Sequence, residues 1–212
     1  MHTEHSSSAT IPPTRRILEA AADEFAQFGY AGARVDAIAK RARVNKASIY
    51  YYIGGKQTLY GRVLRSVFQE TAARLVKESE AVVSPEDKLR VFIRNISRSV
   101  EQNKHMAPIM LREVASGGQH LPDSAILDMA RIIGLLDSIL VQGRASEVFQ
   151  EASPIVLHLM ITGTSLLLKA SAPIRERFTS LSPVRDIEAH PDFAPAAASL
   201  ENLICRAVSC ND

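Results

Sequence analysis

Residues 44–56 combine cations, small side chains and phenols in a pattern that suits nucleic acid. The stretch reads VNKASIYYYIGGK and contains three of the chain's five tyrosines. Lysine and arginine neutralise phosphate charge. A phenol packs its flat face on sugar, and its hydroxyl donates to a phosphate oxygen. The chemistry that this stretch could perform is therefore non-covalent recognition of a sugar-phosphate backbone.

The basic residues are concentrated around this stretch. Residues 1–65 contain ten Lys/Arg and five Asp/Glu, whereas residues 66–212 contain fifteen basic and eighteen acidic residues. Within 34–65, eight basic residues accompany a single acidic one, Asp36. A basic N-terminal end on a mildly acidic body indicates a local polyanion-binding surface. Charge alone does not distinguish such a surface from a basic face that is only in contact with solvent.

Residue patterns for catalysis or metal binding are not found. There is no Ser/His/Asp order, no Glu-x-x-His pair and no phosphate-cradling glycine loop, so no catalytic residue, cofactor or metal is predicted, and the protein is not expected to be an enzyme. Cys205 and Cys210 lack the spacing of metal ligands. They are interpreted as reduced thiols, with a redox-sensing pair as the alternative. The apolar run 155–168 is short for a bilayer and contains His158. A cytoplasmic protein without a membrane partner is expected.

Helical periodicity dominates the chain, and an all-α fold is predicted. Thr14 is a candidate N-cap for a first helix that ends at Gly29, with Ile17, Ala21, Phe25 and Phe28 on its buried face. Further helices are predicted from Val35, from Asn45 and from about Lys56, and then over residues 85–102, 105–116, 122–149, 154–170, 172–178 and 193–208. Residues 1–13 are interpreted as a disordered arm.

The second and third of these helices form a predicted helix-turn-helix. The turn lies at Arg43 and Val44, and Asn45 caps the helix that follows. In this motif the second helix enters the major groove and presents its first residues to base edges; here they are Asn45, Lys46, Ala47 and Ser48. Ile49 and Ile53 face the core. The tyrosines are spread around the helix, so Tyr50 and Tyr51 are expected on the surface, and Tyr52 is left open.

The segment TRRILEAAADEFAQFGYAGARVDAIAKRARVNKASIYYYIGGKQTLY (14–60) resembles the DNA-binding domain of the TetR/AcrR family of bacterial transcriptional regulators. The resemblance implies phosphate contacts by Tyr50 and Lys56, and base contacts by residues 46–48 and Tyr51. Two departures concern the turn and the second helix. Arg43 replaces the usual turn glycine, which either forces a non-glycine residue toward a left-handed conformation or alters the turn slightly. Arg34 replaces the usual threonine cap; its guanidinium can bind phosphate, but it cannot cap the helix as threonine does.

The resemblance also implies that residues 61–212 form a ligand-binding and dimerisation domain, after a DNA-binding domain at 14–60. Methionines around an apolar cavity suit a flexible hydrophobic ligand, although core packing is the alternative for each residue. The candidate lining residues, with His158 as a polar anchor, are Phe68, Phe92, Met106, Met110, Met129, Ile133 and His158.

The segment 154–170 is apolar on nearly every side, so a helix there needs cover on all faces. Pairing with 193–208 and with both segments of a second subunit gives a four-helix homodimer interface; a fully buried monomer helix is the alternative. The leading hypothesis is a ligand-responsive regulator, a repressor that binds a palindromic double-stranded DNA operator and is released by a small apolar effector. The alternatives are an all-α enzyme or small-molecule-binding protein with an incidental three-helix cap, and a non-specific nucleoid-type binder.

Overall fold

The computed structural model describes residues 12–181 and 192–210. Over these residues the chain is helical and contains no named strand, which confirms the predicted all-α fold. The helices are α1 (Pro13–Gly32), α2 (Val35–Ala42), α3 (Lys46–Tyr52), α4 (Lys56–Glu80), α5 (Pro85–Gln102), α6 (Met106–Ala115), α7 (Asp123–Ala145), α8 (Pro154–Ala170), α9 (Ala172–Leu181) and α10 (Phe193–Val208).

The chain divides into two compact units, one that ends at Val63 and one that begins at Leu64. The N-terminal unit therefore contains α1–α3 and the first turns of α4, and the C-terminal unit contains the rest of α4 with α5–α10. Among the described residues, no helix is both long enough and apolar enough to cross a membrane.

The N-terminal unit is built on a small apolar core. Ile17 and Phe25 of α1, Ile38 of α2 and Ile49 of α3 are fully buried. The ring of Phe25 lies edge-on to that of Tyr60, with 4.7 Å between centroids. The Phe25–Tyr60 contact joins α1 to the start of α4, and α2 packs against both α1 and α3.

Two details of α1 differ from the sequence prediction. The helix begins at Pro13 with Pro12 in the cap position, so Thr14 is not its N-cap; proline fits the first turn, where its missing N–H has no helical partner. Phe28 is 48% exposed rather than buried. Gly29 has φ 68° and interrupts the helix as expected, and Tyr30 beyond it approaches Phe25 in place of Phe28. Residues 1–11 of the predicted arm lie outside the described residues.

Helix α8 is the centre of the C-terminal unit and packs against α5, α6, α7 and α10. A buried carboxylate ties α10 to α5: Glu201 accepts hydrogen bonds from Arg94 Nε at 2.7 Å and from Arg90 Nη1 at 3.0 Å. An isolated antiparallel bridge between Phe149 and Ser209 joins the segments that follow α7 and α10. The unit therefore holds α5, α7, α8 and α10 around one interior.

Candidate nucleic-acid interface and effector cavity

The turn between α2 and α3 is made by a left-handed arginine. Arg43 has φ 54° and ψ 48°, so of the two outcomes that the sequence left open the structure has the left-handed residue. Its N–H donates to Lys40 O at 3.2 Å, and Val44 N–H donates to Ala39 O at 3.1 Å. These bonds satisfy the last carbonyls of α2 and bring the chain directly into α3.

Asn45 caps α3, which confirms the prediction. Its Oδ1 accepts hydrogen bonds from the Ser48 backbone N–H and from the Ser48 hydroxyl, each at 2.7 Å. The cap satisfies one of the unpaired N–H groups of the first turn. It also fixes the orientation of the Ser48 side chain, whose hydroxyl hydrogen is directed at Asn45.

Helix α3 has one buried and one exposed side. Ile49 is fully buried on the inner side. Lys46 and Ala47 lie on the outer side with Tyr50 and Tyr51, which are 52% and 84% exposed. Tyr52, which the sequence left open, is 46% exposed, and its ring lies edge-on to that of Tyr51 at 5.0 Å. The outer side thus presents a small central residue between a cation and phenols.

Both lysines of the predicted interface have partners within the N-terminal unit. Lys46 Nζ lies 3.0 Å from Asp36 Oδ1 in an exposed ion pair. Lys56 Nζ donates to Ala31 O at 3.2 Å and lies 4.8 Å from the Tyr30 ring centroid. An ammonium has three donors, so each lysine retains hydrogen-bonding capacity for phosphate. The sequence did not indicate either partner.

Arg34 occupies the cap position of α2 without a side-chain cap, as expected for a residue that replaces threonine. Its backbone N–H instead donates to Oε1 of Glu24 at 3.2 Å, and Glu24 is 3% exposed. Arg34, Lys40 and Arg43 are exposed, and no carboxylate of the described residues lies within 4.0 Å of any of them. These three cations are therefore available to an anion.

The C-terminal unit contains a small, partly open cavity, called here the central cavity, with a volume of about 50 Å³. Its walls come from α4, α5, α6, α7 and α8, and they are Phe68, Thr71, Ile96, Ser99, Val100, Met106, Met110, Met129, Ile132, His158, Thr162 and Leu166. Three of the chain's five methionines are in this group. Unbranched thioether side chains can change conformation at little cost, so the cavity can change its shape.

The structure places five of the seven residues proposed for a ligand pocket on the walls of the central cavity: Phe68, Met106, Met110, Met129 and His158. Phe92 and Ile133 are not among its walls. Phe92 is completely buried and borders a separate groove with Leu135. Ile132 takes the place assigned to Ile133, because one residue along a helix turns the side chain by 100°.

A pair of hydroxyls lies on the α4–α5 wall of the central cavity, and the sequence analysis missed both. Thr71 Oγ1 donates to Val67 O at 2.8 Å and lies 2.6 Å from Ser99 Oγ. Since the threonine hydrogen is used by Val67, the Ser99 hydroxyl donates to Thr71 and retains its lone pairs. Small polar residues on otherwise apolar faces of α4 and α5 were the available signal.

Among the described residues that line the central cavity, His158 has the one ionisable side chain. It is 7% exposed, and burial lowers its pKa from the usual 6.5, which favours the neutral imidazole. Nε2 lies 3.4 Å from Thr162 Oγ1. Nδ1 is buried without a hydrogen-bond partner among the described residues. A buried polar atom of this kind is costly unless something binds it.

Helix α8 turns an apolar face outward on the side away from His158. The exposed residues of this face follow helical spacing and are Ile155, Val156, Leu159, Met160 and Leu167. Leu203 of α10 is 66% exposed. Scattered apolar residues are normal on a protein surface, whereas a continuous helical face is typical of a contact surface.

A helix-turn-helix in one unit and a separate helical unit with an internal cavity define the class to which this chain belongs. The sequence model of the bacterial regulatory proteins of the tetR family matches residues 17–63, and that of the tetracyclin repressor-like C-terminal domain matches residues 85–178. The chain belongs to the TetR family. This confirms the resemblance seen in residues 14–60.

Named relatives and solved structures agree with this assignment. The transcriptional regulator RutR of Escherichia coli is 31% identical over 134 residues, or 62% of this chain and 61% of RutR. The repressor NicS of Pseudomonas putida is 28% identical over 137 residues, or 64% of this chain and 65% of NicS. The chain thus matches less than two thirds of either relative. A tetR-family protein of Rhodococcus RHA1 shares the fold, with a TM-score of 0.74 at 18% identity over 96% of this chain and 100% of that one.

Proposed function

We propose that the protein is a transcriptional regulator that binds a palindromic DNA operator as a homodimer and is released by a small effector. The observation that carries this proposal is the outer side of α3, where Lys46, Ala47, Tyr50 and Tyr51 are exposed behind a turn and a cap that fix the helix start. The description of NicS as a repressor supports repression rather than activation by this protein.

The α3 residues divide into base-reading and backbone-binding groups. Ala47 is small enough to let the helix approach the major groove, and Lys46 and Ser48 reach base edges. Tyr50 packs on sugar and donates to phosphate, Tyr51 contacts base edges, and Arg34 and Lys56 add phosphate contacts. The exposed cations Lys40 and Arg43 extend the same positive surface beside the helix.

A second copy of this chain is the proposed partner of the exposed α8 face. The face lies on the helix at the centre of the C-terminal unit and is accompanied by exposed Leu203 of α10. Two copies that pair these helices form a four-helix interface and bury both apolar faces. A two-fold dimer also matches a palindromic site, with recognition helices about 34–36 Å apart.

The central cavity is the proposed effector site. An effector that binds the C-terminal unit better in a conformation with low DNA affinity shifts the population away from the operator. A coupling of about 1–3 kcal/mol is enough to change occupancy several-fold or more.

The first experiment selects genomic DNA fragments with the purified protein and measures affinity for an enriched fragment against salt. Steep loss of affinity with salt is expected, and Tyr50→Phe should weaken binding about tenfold on all sequences, because a hydrogen bond to a charged phosphate is lost. Lys56→Ala should also weaken all sequences, whereas the matched control Lys77→Ala, on exposed α4 surface of the C-terminal unit, should not. If no fragment is enriched although small molecules bind the cavity, the protein is a small-molecule-binding protein instead.

Oligomeric state is tested by light scattering on the same protein. The wild-type chain should be a dimer, and Leu159→Glu should give monomers with weaker operator binding, since a carboxylate would be buried at the interface without a partner. Val83→Glu is the matched control, because Val83 is apolar and 91% exposed but lies off the α8 face. A monomeric wild-type protein, or a dimeric Leu159→Glu variant, would contradict the assignment.

A further inference from the structure

We infer that the effector is a small, uncharged molecule with an apolar body and one hydrogen-bonding group, which His158 binds inside the central cavity. The inference rests on the proposed function and specifies the ligand of the site in the C-terminal unit. Three properties of the cavity support the inference: the absence of charged residues among the described residues that line it, one unsatisfied polar atom in its walls, and its volume.

The charge of the walls excludes an ionic ligand. None of the twelve lining residues is Asp, Glu, Lys or Arg. A carboxylate, phosphate or ammonium group would therefore be buried without an opposite charge, which is strongly unfavourable. His158 could offset a carboxylate only by taking up a proton, and its burial disfavours the charged imidazole.

The polar atoms of the walls require one hydrogen-bonding group on the ligand. His158 is more than nine-tenths buried, it lines the cavity, and its Nδ1 lacks a partner among the described residues. Neutral imidazole presents one donor and one acceptor nitrogen, so a hydroxyl can bind Nδ1 in either tautomer once the ring turns this buried atom toward the cavity. The Ser99 lone pairs provide a further acceptor on the α5 wall. A pure hydrocarbon would leave Nδ1 unsatisfied.

The volume of the cavity limits the apolar part of the ligand. At about 50 Å³ the cavity is roughly a third of the 150 Å³ apolar cavity that takes up benzene. Displacement of Met106, Met110 and Met129 can enlarge it to the size of a single ring, because each methionine has several flexible torsions. A long acyl chain or a nucleotide would require the helices themselves to separate.

The test uses methionine methyl NMR on the full-length protein, titrated separately with phenol, toluene and benzoate. These probes share one ring and differ in their hydrogen-bonding group and charge. Phenol should shift the methyl signals of Met106, Met110 and Met129 but not that of Met160, which lies on the outer face of α8, does not line the cavity and serves as the internal control. Toluene should bind about tenfold more weakly, because it leaves Nδ1 unpaired, and benzoate should not bind.

Two substitutions assign the preference to His158. His158→Leu should abolish the preference for phenol over toluene while toluene still binds, and His158→Gln, which retains a hydrogen-bonding group, should restore part of it. The wild-type pattern of methyl signals from residues remote from the cavity checks that each variant is folded. Equal binding of benzoate and phenol, an unchanged preference in His158→Leu, or no shift with any probe would overturn the inference; the last result is expected if Nδ1 binds only a buried water. The selection of operator DNA involves none of these probes, so it tests the proposed function separately.

Discussion

Asn45 Oδ1 accepts both hydrogen-bond donors of Ser48, the backbone N–H and the hydroxyl, at 2.7 Å each. This arrangement assigns the remaining hydrogen-bonding groups at the start of α3. The Ser48 oxygen can only accept from a base, for which the amino groups of adenine and cytosine are the partners, and the Asn45 amide nitrogen can only donate. One side-chain pair therefore both caps the helix and determines which hydrogen-bonding groups remain on the proposed base-reading surface.

Asn45→Asp should separate the structural and the DNA-binding role of this position. Aspartate caps a helix as well as asparagine does, so the free energy of unfolding should change little. In the proposed complex the added carboxylate would face DNA, so operator affinity should fall at least tenfold, as measured by fluorescence anisotropy. Asn45→Ala, in contrast, should lower the free energy of unfolding by about 1 kcal/mol through loss of the cap. Unchanged operator affinity in Asn45→Asp would place this helix start away from the DNA.

Arg43→Gly should raise stability and lower DNA affinity in the same protein. A left-handed non-glycine residue costs about 1–2 kcal/mol, so glycine should raise the free energy of unfolding by about 1 kcal/mol after its larger unfolded-state entropy is counted. Loss of an exposed cation should reduce the slope of log affinity against log salt by about one. Arg43→Ala is the control: it should lose the same cation without the gain in stability. Equal stability of the two variants would show that the turn carries no such strain.

Gly143→Ala should destabilise the C-terminal unit. A Cβ at Gly143 would overlap the ring of Phe149, which is 4% exposed and cannot move outward without disturbing the bridge to Ser209. A loss of about 1–3 kcal/mol in the free energy of unfolding is expected from such overpacking. Gly134→Ala lies on the same helix with open space around the added methyl, so it should be neutral or stabilising by about 0.5–1 kcal/mol. Urea unfolding followed by circular dichroism measures both.

His158 should make stability depend on pH in the mildly acidic range. Its folded-state pKa is lowered below 6.5 by burial, so the unfolded chain takes up the proton first as the pH falls. Its contribution to stability is therefore fully present above pH 6.5 and is lost progressively as the pH falls toward the folded-state pKa. As the pH is lowered from 7.5 to 5, the free energy of unfolding of the wild type should therefore fall relative to that of His158→Gln. A difference that is independent of pH would contradict the buried neutral imidazole.

The elements with local signals were predictable from the sequence. Helices α5, α8 and α10 have the bounds expected from their starting residues and apolar periodicity. The cap at Asn45 follows from short-range backbone chemistry and was confirmed, whereas the left-handed Arg43 is one of two outcomes that the family resemblance left open for the turn. The N-cap predicted at Thr14 was wrong, although the correct start was also a local signal. Proline is favoured in the first turn of a helix, and α1 begins at Pro13 with Pro12 in the cap position.

Contacts between distant segments were not predictable. The Lys46–Asp36 ion pair and the hydrogen bond from the Arg34 N–H to Glu24 join residues ten positions apart, and periodicity contains no information on them. The hydroxyls of Thr71 and Ser99 look the same in sequence as solvent-exposed ones, so their place in the cavity became visible only with the helices packed. Ile133 was predicted to line the cavity, but Ile132 does so. Periodicity therefore locates a helix face to within about one residue.

The most direct test of the account is a selection from random DNA duplexes, performed in parallel with the wild-type chain and with Ser48→Ala. We expect the wild type to enrich a two-fold symmetric motif with half-sites about one helical turn apart, and Ser48→Ala to enrich a motif changed at a position where the wild type prefers adenine or cytosine. Identical motifs from the two proteins, or no motif from the wild type, would contradict the claim that the outer side of α3 reads DNA.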